Sequence, residues 1–266
     1  MKIYKKIKGF YSGKLLKIFH HLSYPMAIIG IYLIYQGEIH WAPFLIATFL
    51  INNIGASAGL HRYFTHHSFK TGKIQHWIIG FLSTISTQGS IIHWVAMHRI
   101  HHKHSDTELD PVDPHSIGFW KSFFGSVDPK EFQRINRKIV GDLFRDKVVV
   151  WYHNWYWPVI SLYITILMLI NPLLVFSCYW MPLAMVRFTY GINNTVNHGY
   201  FKSIGYRNFN SKDSSTNSIL FHVLTLFTGE SLHNNHHYNS SKYSFKERWF
   251  EFDPTATFIK YVLSKN

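Results

Sequence analysis

The chain has 266 residues, of which 47% are hydrophobic and 18% aromatic but only 15% charged, against about 25% charged in an average soluble domain. The formal net charge is +13, which suits an anionic membrane surface or an anionic partner; the basic residues flank apolar runs and form no separate tract, which argues against nucleic acid. One cysteine, Cys178, sits in an apolar run and reads as a small buried hydrophobe, so internal disulfides and cysteine-based zinc or iron–sulfur sites are excluded.

Residues 1–20 place Lys2, Lys5, Lys6, Lys8, Lys14 and Lys17 among Ile3, Tyr4, Ile7, Phe10 and Tyr11 and read as a basic membrane-surface arm. No small-residue cleavage site follows, so no secretory signal is expected. Apolar runs at about 22–36 and 41–60, joined by QGEIHW without Lys or Arg, predict a first membrane hairpin. The second run leads into HRYFTHH, which holds His61, His66 and His67.

Residues 74–97 are long enough to span once, but one crossing would put HRYFTHH and the next cluster, HRIHHKH (His98, His101, His102 and His104), on opposite faces of the bilayer. The centre of the stretch is also polar, from Ser83 to Ser90. Two buried or interfacial helices that do not cross are expected. SDTELDPVDPHS marks a loop. KEFQRINRKIVGDLFRDK, from Lys130, sets Phe132, Ile135, Ile139 and Leu143 at helical spacing and predicts an amphipathic surface helix. Runs at about 155–170 and 173–190, broken at Asn171–Pro172, predict a second hairpin with Trp151, Trp155, Trp157 and Trp180 as interface anchors. The chain then returns to the side of the earlier clusters with NNTVNH, ending in His198, and HNNHH, with His233, His236 and His237.

The expected architecture is one all-α integral membrane domain over 1–266. It has four transmembrane helices in two hairpins and a helical cap built from 61–150 and 191–266. The bias of Lys and Arg puts the cap and both termini in the cytoplasm.

Ten of the nineteen histidines fall in the three clusters. In HxxHH the histidines stand at i, i+3 and i+4, on one helical face, so His98, His101 and His102 can converge, as can His233, His236 and His237. His61 and His66 are five apart, about 140° around an ideal helix. They can share a metal only if the helix ends or bends there, or if they grip from different sides. A lone histidine beside a membrane is an ordinary interfacial residue; two copies of HxxHH point to metal, and imidazole suits Zn, Cu, Fe or Ni. Eight or nine ligands exceed what one ion takes, so two metals are expected.

The order HRxxxH, HRxHH, Asn-xxx-His and then HNxHH after Gly-Glu resembles the membrane fatty-acyl desaturases, closest to their delta-9 acyl-CoA and acyl-lipid branch of bacterial type. The resemblance runs from about Trp41 to the C-terminus and includes HKHSDTELDPVDPHS, GESLHNNHH and RWFEFDPT. It implies two iron ions held by His61, His66, His98, His101, His102, His198, His233, His236 and His237, with Asn194 holding an iron-bound water; His67 and His104 fall outside the pattern. The implied reaction is O2-dependent removal of two vicinal hydrogens from a saturated acyl chain on CoA or a membrane lipid, giving a cis delta-9 double bond for unsaturated fatty acid synthesis. Such C–H bonds have no acidic proton for a side-chain base to take, and redox-inert zinc cannot supply the oxidant.

Glu230, Asp106, Asp110 and Asp113 are candidates to accept the far imidazole N–H of a ligand. Glu230, three before His233, is the first choice. Asp110 and Asp113 read equally well as turn residues. No HPGG haem motif occurs, so electrons are expected from a separate ferredoxin- or cytochrome b5-like carrier docking on the basic face. In acyl-CoA members an Arg-Asp pair linked to the CoA head group precedes the second box. Here the pair is Ala96–Met97, which resembles bacterial and plastid-type members, some of which use lipid-bound chains. The expected location is the bacterial inner membrane. Rival readings are a hydroxylase on the same scaffold, distinguished by an alcohol product, and a metal-binding or transporting membrane protein, which would need metal-binding residues within its spans.

Overall fold

A computed structural model describes residues 11–125, 137–201 and 204–265. It is helical, and among the described residues there is no strand beyond isolated bridges such as Thr71 with Ser264.

Helix α1 (Gly13–Tyr35) begins nine residues before the apolar run at Leu22, because Ser12 caps it by accepting from the Leu15 N–H. Residues 13–20 are therefore helix rather than arm; residues 1–10 of the expected arm lie outside the described residues. Helix α2 (Trp41–Thr65) is continuous for 25 residues. These two helices are long and apolar enough to cross a membrane, and α1 turns Ile28, Ile31 and Tyr35 outward, each more than half exposed.

From Phe49 to Thr65, α2 winds as a π-helix. Helix α3 (Lys73–Ile85) packs on this segment, and Gly55 and Gly59 make the approach possible. A Cβ on Gly55 would lie 2.4 Å from the Leu82 carbonyl oxygen, and one on Gly59 would lie 2.3 Å from Ser83 Oγ. Two small residues four apart thus form a flat groove for the partner helix. Ser83 Oγ donates to the Gly55 carbonyl there, at 2.8 Å.

Helix α4 (Ile91–His104) is separated from α3 by a turn in which Thr87 and Gly89 have φ of +55° and +109°. Ser90 caps α4 through the His93 N–H. Residues 74–97 are thus two helices, as their polar centre predicts. Where it is described, the segment expected to be an amphipathic helix from Lys130 differs. It forms short 3₁₀ turns at Arg137–Val140 and Leu143–Arg145, interrupted at Gly141–Asp142. Glycine is a poor helix former, and the Asp142 carboxylate is held by Arg99. Residues 126–136 lie outside the described residues.

Helix α5 (Lys147–Asn154) is capped by Asp146, and α6 (Tyr156–Ile170) ends at Asn171. Asn171 Oδ1 then accepts from the Leu173 N–H. The chain resumes as a π turn at Phe176–Trp180 and continues as α7 (Met181–Thr195), which packs on α1. The last run thus starts three residues later than its apolar pattern and continues five beyond it, carrying Asn194 on its final turn. The third box lies on a short helix, α8 (His233–Tyr238).

Candidate metal centre

The π winding of α2 disposes of the angular problem at the first box. A π-helix pairs i with i+5, and the His66 N–H donates to the His61 carbonyl at 3.3 Å. Residues five apart therefore stack, and the two imidazole centroids lie 5.1 Å apart.

Nine histidines assemble into two groups, each with its ligand-capable atoms within 4.8 Å of one another. The first is His61, His66, His98, His102 and His236; the second is His101, His198, His233 and His237. The HxxHH boxes do not converge internally as their spacing suggests. In each, the i and i+4 residues enter one group and the i+3 residue enters the other. The 100° step between i+3 and i+4 aims neighbouring rings at two places about one ring apart: His101 and His102 have centroids 5.5 Å apart. Each box thereby serves both groups and fixes their separation.

Four carboxylates stand behind the imidazoles. His101 Nδ1 is 2.8 Å from Asp110, His198 Nδ1 2.9 Å from Asp106, and His237 Nδ1 2.8 Å from Asp213. His61 Nδ1 lies 2.5 Å from Glu230, which also accepts from Ser57. A carboxylate on Nδ1 keeps the proton there and turns the bare Nε2 inward. Burial works against ionised carboxylates, yet the hydrogen bonds from His198 and the Ser214 N–H hold Asp106 down at about 2. Asp110, Asp213 and Glu230 are lowered in the same way, by His101, His237 and His61 in turn. The imidazoles are pushed the other way. Burial, then the neighbouring histidines, lower His66, His98, His102, His233 and His236 far below their ordinary value, and burial lowers His237 to about 3. Those six rings are thereby favoured in the neutral form, which offers a lone pair.

The donor set fits metal better than it fits itself. Nε2 atoms lie 2.8 Å apart in His61–His236, 2.9 Å in His236–His102 and 3.0 Å in His102–His98. A ring nitrogen has either one hydrogen or one lone pair, so these three successive contacts cannot all be hydrogen bonds. His66 Nε2 and His237 Nε2 are buried with no protein partner, which a buried polar atom ordinarily has. A cation in each group answers all of these defects.

The candidates separate cleanly. Glu230, Asp106 and Asp110 stand behind histidines, whereas Asp113 is a cap, accepting from the His115 and Ser116 N–H groups. His67 is exposed and pairs with Asp142. Asn194 lies on a cavity wall shared with His101 and His233. Asp213 escaped the sequence reading, as did the arginine following the first histidine of two boxes. Arg62 is fully buried, donates to Asp253, Tyr243 O and Thr228 O, and lies 3.9 Å from the Phe245 ring centre. Arg99 forks onto both oxygens of Asp142 at 2.8 and 2.9 Å. The repeated His-Arg pair was the available signal. Asn235 is the other omission: it donates to Phe245 O and Glu251 and accepts from Asn208 and Asn217, which pins the third box to the tail.

Both groups border a cavity of about 760 Å³ walled by α1, α4, α7 and the loop after α4. Trp94, Met97, Ile100, Leu109 and Ile117 give it apolar stretches, and Trp94 stacks on His98 with centroids 4.7 Å apart.

Residues 39–246 match the family model for fatty acid desaturases. The chain is 32% identical over 232 residues to the sn-1 stearoyl-lipid 9-desaturase of Anabaena variabilis, covering 79% of this chain and 76% of that protein. It is 29% identical over 254 residues to a probable acyl-CoA desaturase of Schizosaccharomyces pombe, covering 91% of this chain but only 51% of that longer protein. It is 28% identical over 226 residues to the hex-5-enoyl-[acyl-carrier protein] acetylenase of Moorena producens, with 79% and 70% covered. The chain belongs to the fatty acid desaturase family, membrane-associated oxidoreductases of di-iron type that act on fatty acyl chains.

Proposed function

We propose that the protein introduces a cis double bond at the delta-9 position of a saturated acyl chain, with two iron ions held by its nine clustered histidines. The observation that carries this reading is the pair of converging imidazole groups, five and four, opening on one partly apolar cavity. His61, His66, His98, His102 and His236 would hold one iron, and His101, His198, His233 and His237 the other, with Asn194 placed to hold a water on the second. When bound, the iron pair supplies the oxidising power, drawn from O2, that removal of hydrogen from an unactivated C–H bond requires. The chain's own residues do the positioning. Glu230, Asp110, Asp106 and Asp213 fix imidazole tautomers, Arg62 and Arg99 lock the boxes to the tail and to the loop before α5, and the cavity wall lays the acyl chain beside the histidines.

The helices support four crossings, by α1, α2, α6 and the run from Phe176 through α7, while α3 and α4 stay on the cap side with the histidines. The turns at 36–40 and 171–172 carry no Lys or Arg, which favours a cytoplasmic cap and termini, in a bacterial inner membrane. Electrons would come from a separate ferredoxin- or cytochrome b5-like carrier attracted by the basic face.

Expression in a host lacking delta-9 activity, followed by mass-spectrometric location of any new double bond and of the lipid class carrying it, tests the reading. A new delta-9 alkene, absent with His101→Ala, is expected. An alcohol product would favour hydroxylation and overturn the assignment, and an alkene that persists with His101→Ala would remove the metal role.

A further inference from the structure

Arg187 sits in the middle of α7, within a segment read above as membrane-spanning, and is only 7% exposed. A buried cation ordinarily has a carboxylate facing it, and an ionisable side chain within a span ordinarily marks a functional site. Among the described residues no carboxylate reaches Arg187. One nitrogen, Nη2, donates to the carbonyls of Phe124 and Gly125, and Nε has no partner. A second orphan lies beside it: the Tyr24 hydroxyl is buried without a partner, and its ring stands edge-on to Phe124 at 5.4 Å. Arg187 also lines the cavity that reaches His101 and His233. Lys121, on the short helix Phe119–Phe124 that packs on α7, lines the same cavity.

We propose that Arg187 and Lys121 seat the anionic, phosphate-bearing head of the acyl substrate. This rests on the acyl-chain reading of the cavity given above. The incoming anion would supply the buried guanidinium with the counter-charge that no carboxylate among the described residues provides. Ala96 and Met97, which precede the second box, are 0% and 6% exposed; buried and apolar, they offer nothing to an anion, so head-group recognition moves to α7. Arg187 is seven residues before Asn194, about 10 Å along the helix at 1.5 Å per residue, so an anion held at Arg187 lies within reach of a chain that passes the histidines. A phosphate head can belong to a bilayer phospholipid or to a soluble thioester carrier, and the geometry uses the chemistry they share.

The test is binding to the purified full-length protein in nanodiscs, read from tryptophan fluorescence, with three probes: 1-stearoyl-lysophosphatidate, stearoyl-CoA and uncharged 1-stearoylglycerol. At least one anionic probe is expected to bind 10-fold or more tighter than stearoylglycerol. Arg187→Gln should remove that advantage, Arg187→Lys should keep most of it, and stearoylglycerol affinity should be unchanged in both. Preference for lysophosphatidate places the natural head in the bilayer, preference for stearoyl-CoA places it in solution, and either supports the proposal. Equal affinity for charged and neutral probes in the wild type overturns it. So does Arg187→Gln weakening all three alike, which would mark a structural role at the Phe124–Gly125 turn. In these cases binding of stearoylglycerol shows that the acyl cavity itself stands; if no probe binds, that reading fails as well.

Discussion

His237 and Asp213 are 24 residues apart in sequence, yet Nδ1 of the one lies 2.8 Å from a carboxylate oxygen of the other. Asp213 also accepts from Ser211 Oγ and from the Ser215 N–H and hydroxyl, all on its other oxygen, so one carboxylate both ties down the loop and orients the histidine. Losing such a partner typically weakens metal binding or activity by about 10–100-fold. Asp213→Asn is expected to lower iron affinity and turnover by a factor in that range, measured by competition with a chelator. Asp113→Ala, which removes a helix cap that touches no clustered histidine, should cost about 1 kcal/mol of stability and leave the iron content intact.

The two histidine groups are separable. His66→Ala should reduce bound iron from two to one per chain, because the His101, His198, His233 and His237 group contains no residue of the first box. His101→Ala should do the same from the other side. Metal analysis of each purified variant measures this, and loss of both ions from either one would show that the groups form a single unit.

Among the described residues Arg62 and Asp253 form the deepest ion pair, both almost fully buried and tied to the first box on one side and the tail on the other. Removing one member of such a pair leaves an uncompensated charge and costs about 3–5 kcal/mol. Asp253→Ala should therefore lower the melting temperature sharply, whereas Asp142→Ala, on a partly exposed pair with Arg99, should have a much smaller effect. Thermal unfolding followed by size-exclusion chromatography compares the two.

Asp146 caps α5 and faces His76. Burial opposes its ionisation, but the His76 hydrogen bond and the Val148 and Val149 N–H groups lower its carboxyl below the ordinary value. A lowered folded-state value means that the stabilisation is complete above the unfolded value and is lost as pH falls through the folded one. Asparagine keeps the cap without the charge. The gap in melting temperature between wild type and Asp146→Asn should be present at pH 7 and should close as the pH is taken below the ordinary carboxylate range.

Much of the centre was legible because its histidines lie in short local motifs. HRxxxH, HRxHH and HNxHH announce themselves, and the structure gathers those histidines with His198. What the spacing hid is the division of labour. An ideal helix says that i, i+3 and i+4 share a face, but at the scale of a metal site the 100° between His101 and His102 is enough to send them to different groups. The pairing of His61 with His66 depends on π winding, which has no local signature in the sequence. Asp213, in a serine-rich loop, looked like any turn aspartate. The start of α1 at Gly13 was missed because lysines at 14 and 17 masked an amphipathic turn whose Leu16 and His20 are buried.

The most direct test of the central claim is the metal content of the wild-type protein purified without oxygen, counted by elemental analysis and typed by Mössbauer spectroscopy. Two high-spin irons per chain, in two nitrogen-rich environments that respond separately to His66→Ala and His101→Ala, are predicted. A single ion per chain, or zinc in both groups of a protein that still desaturates, would contradict the account.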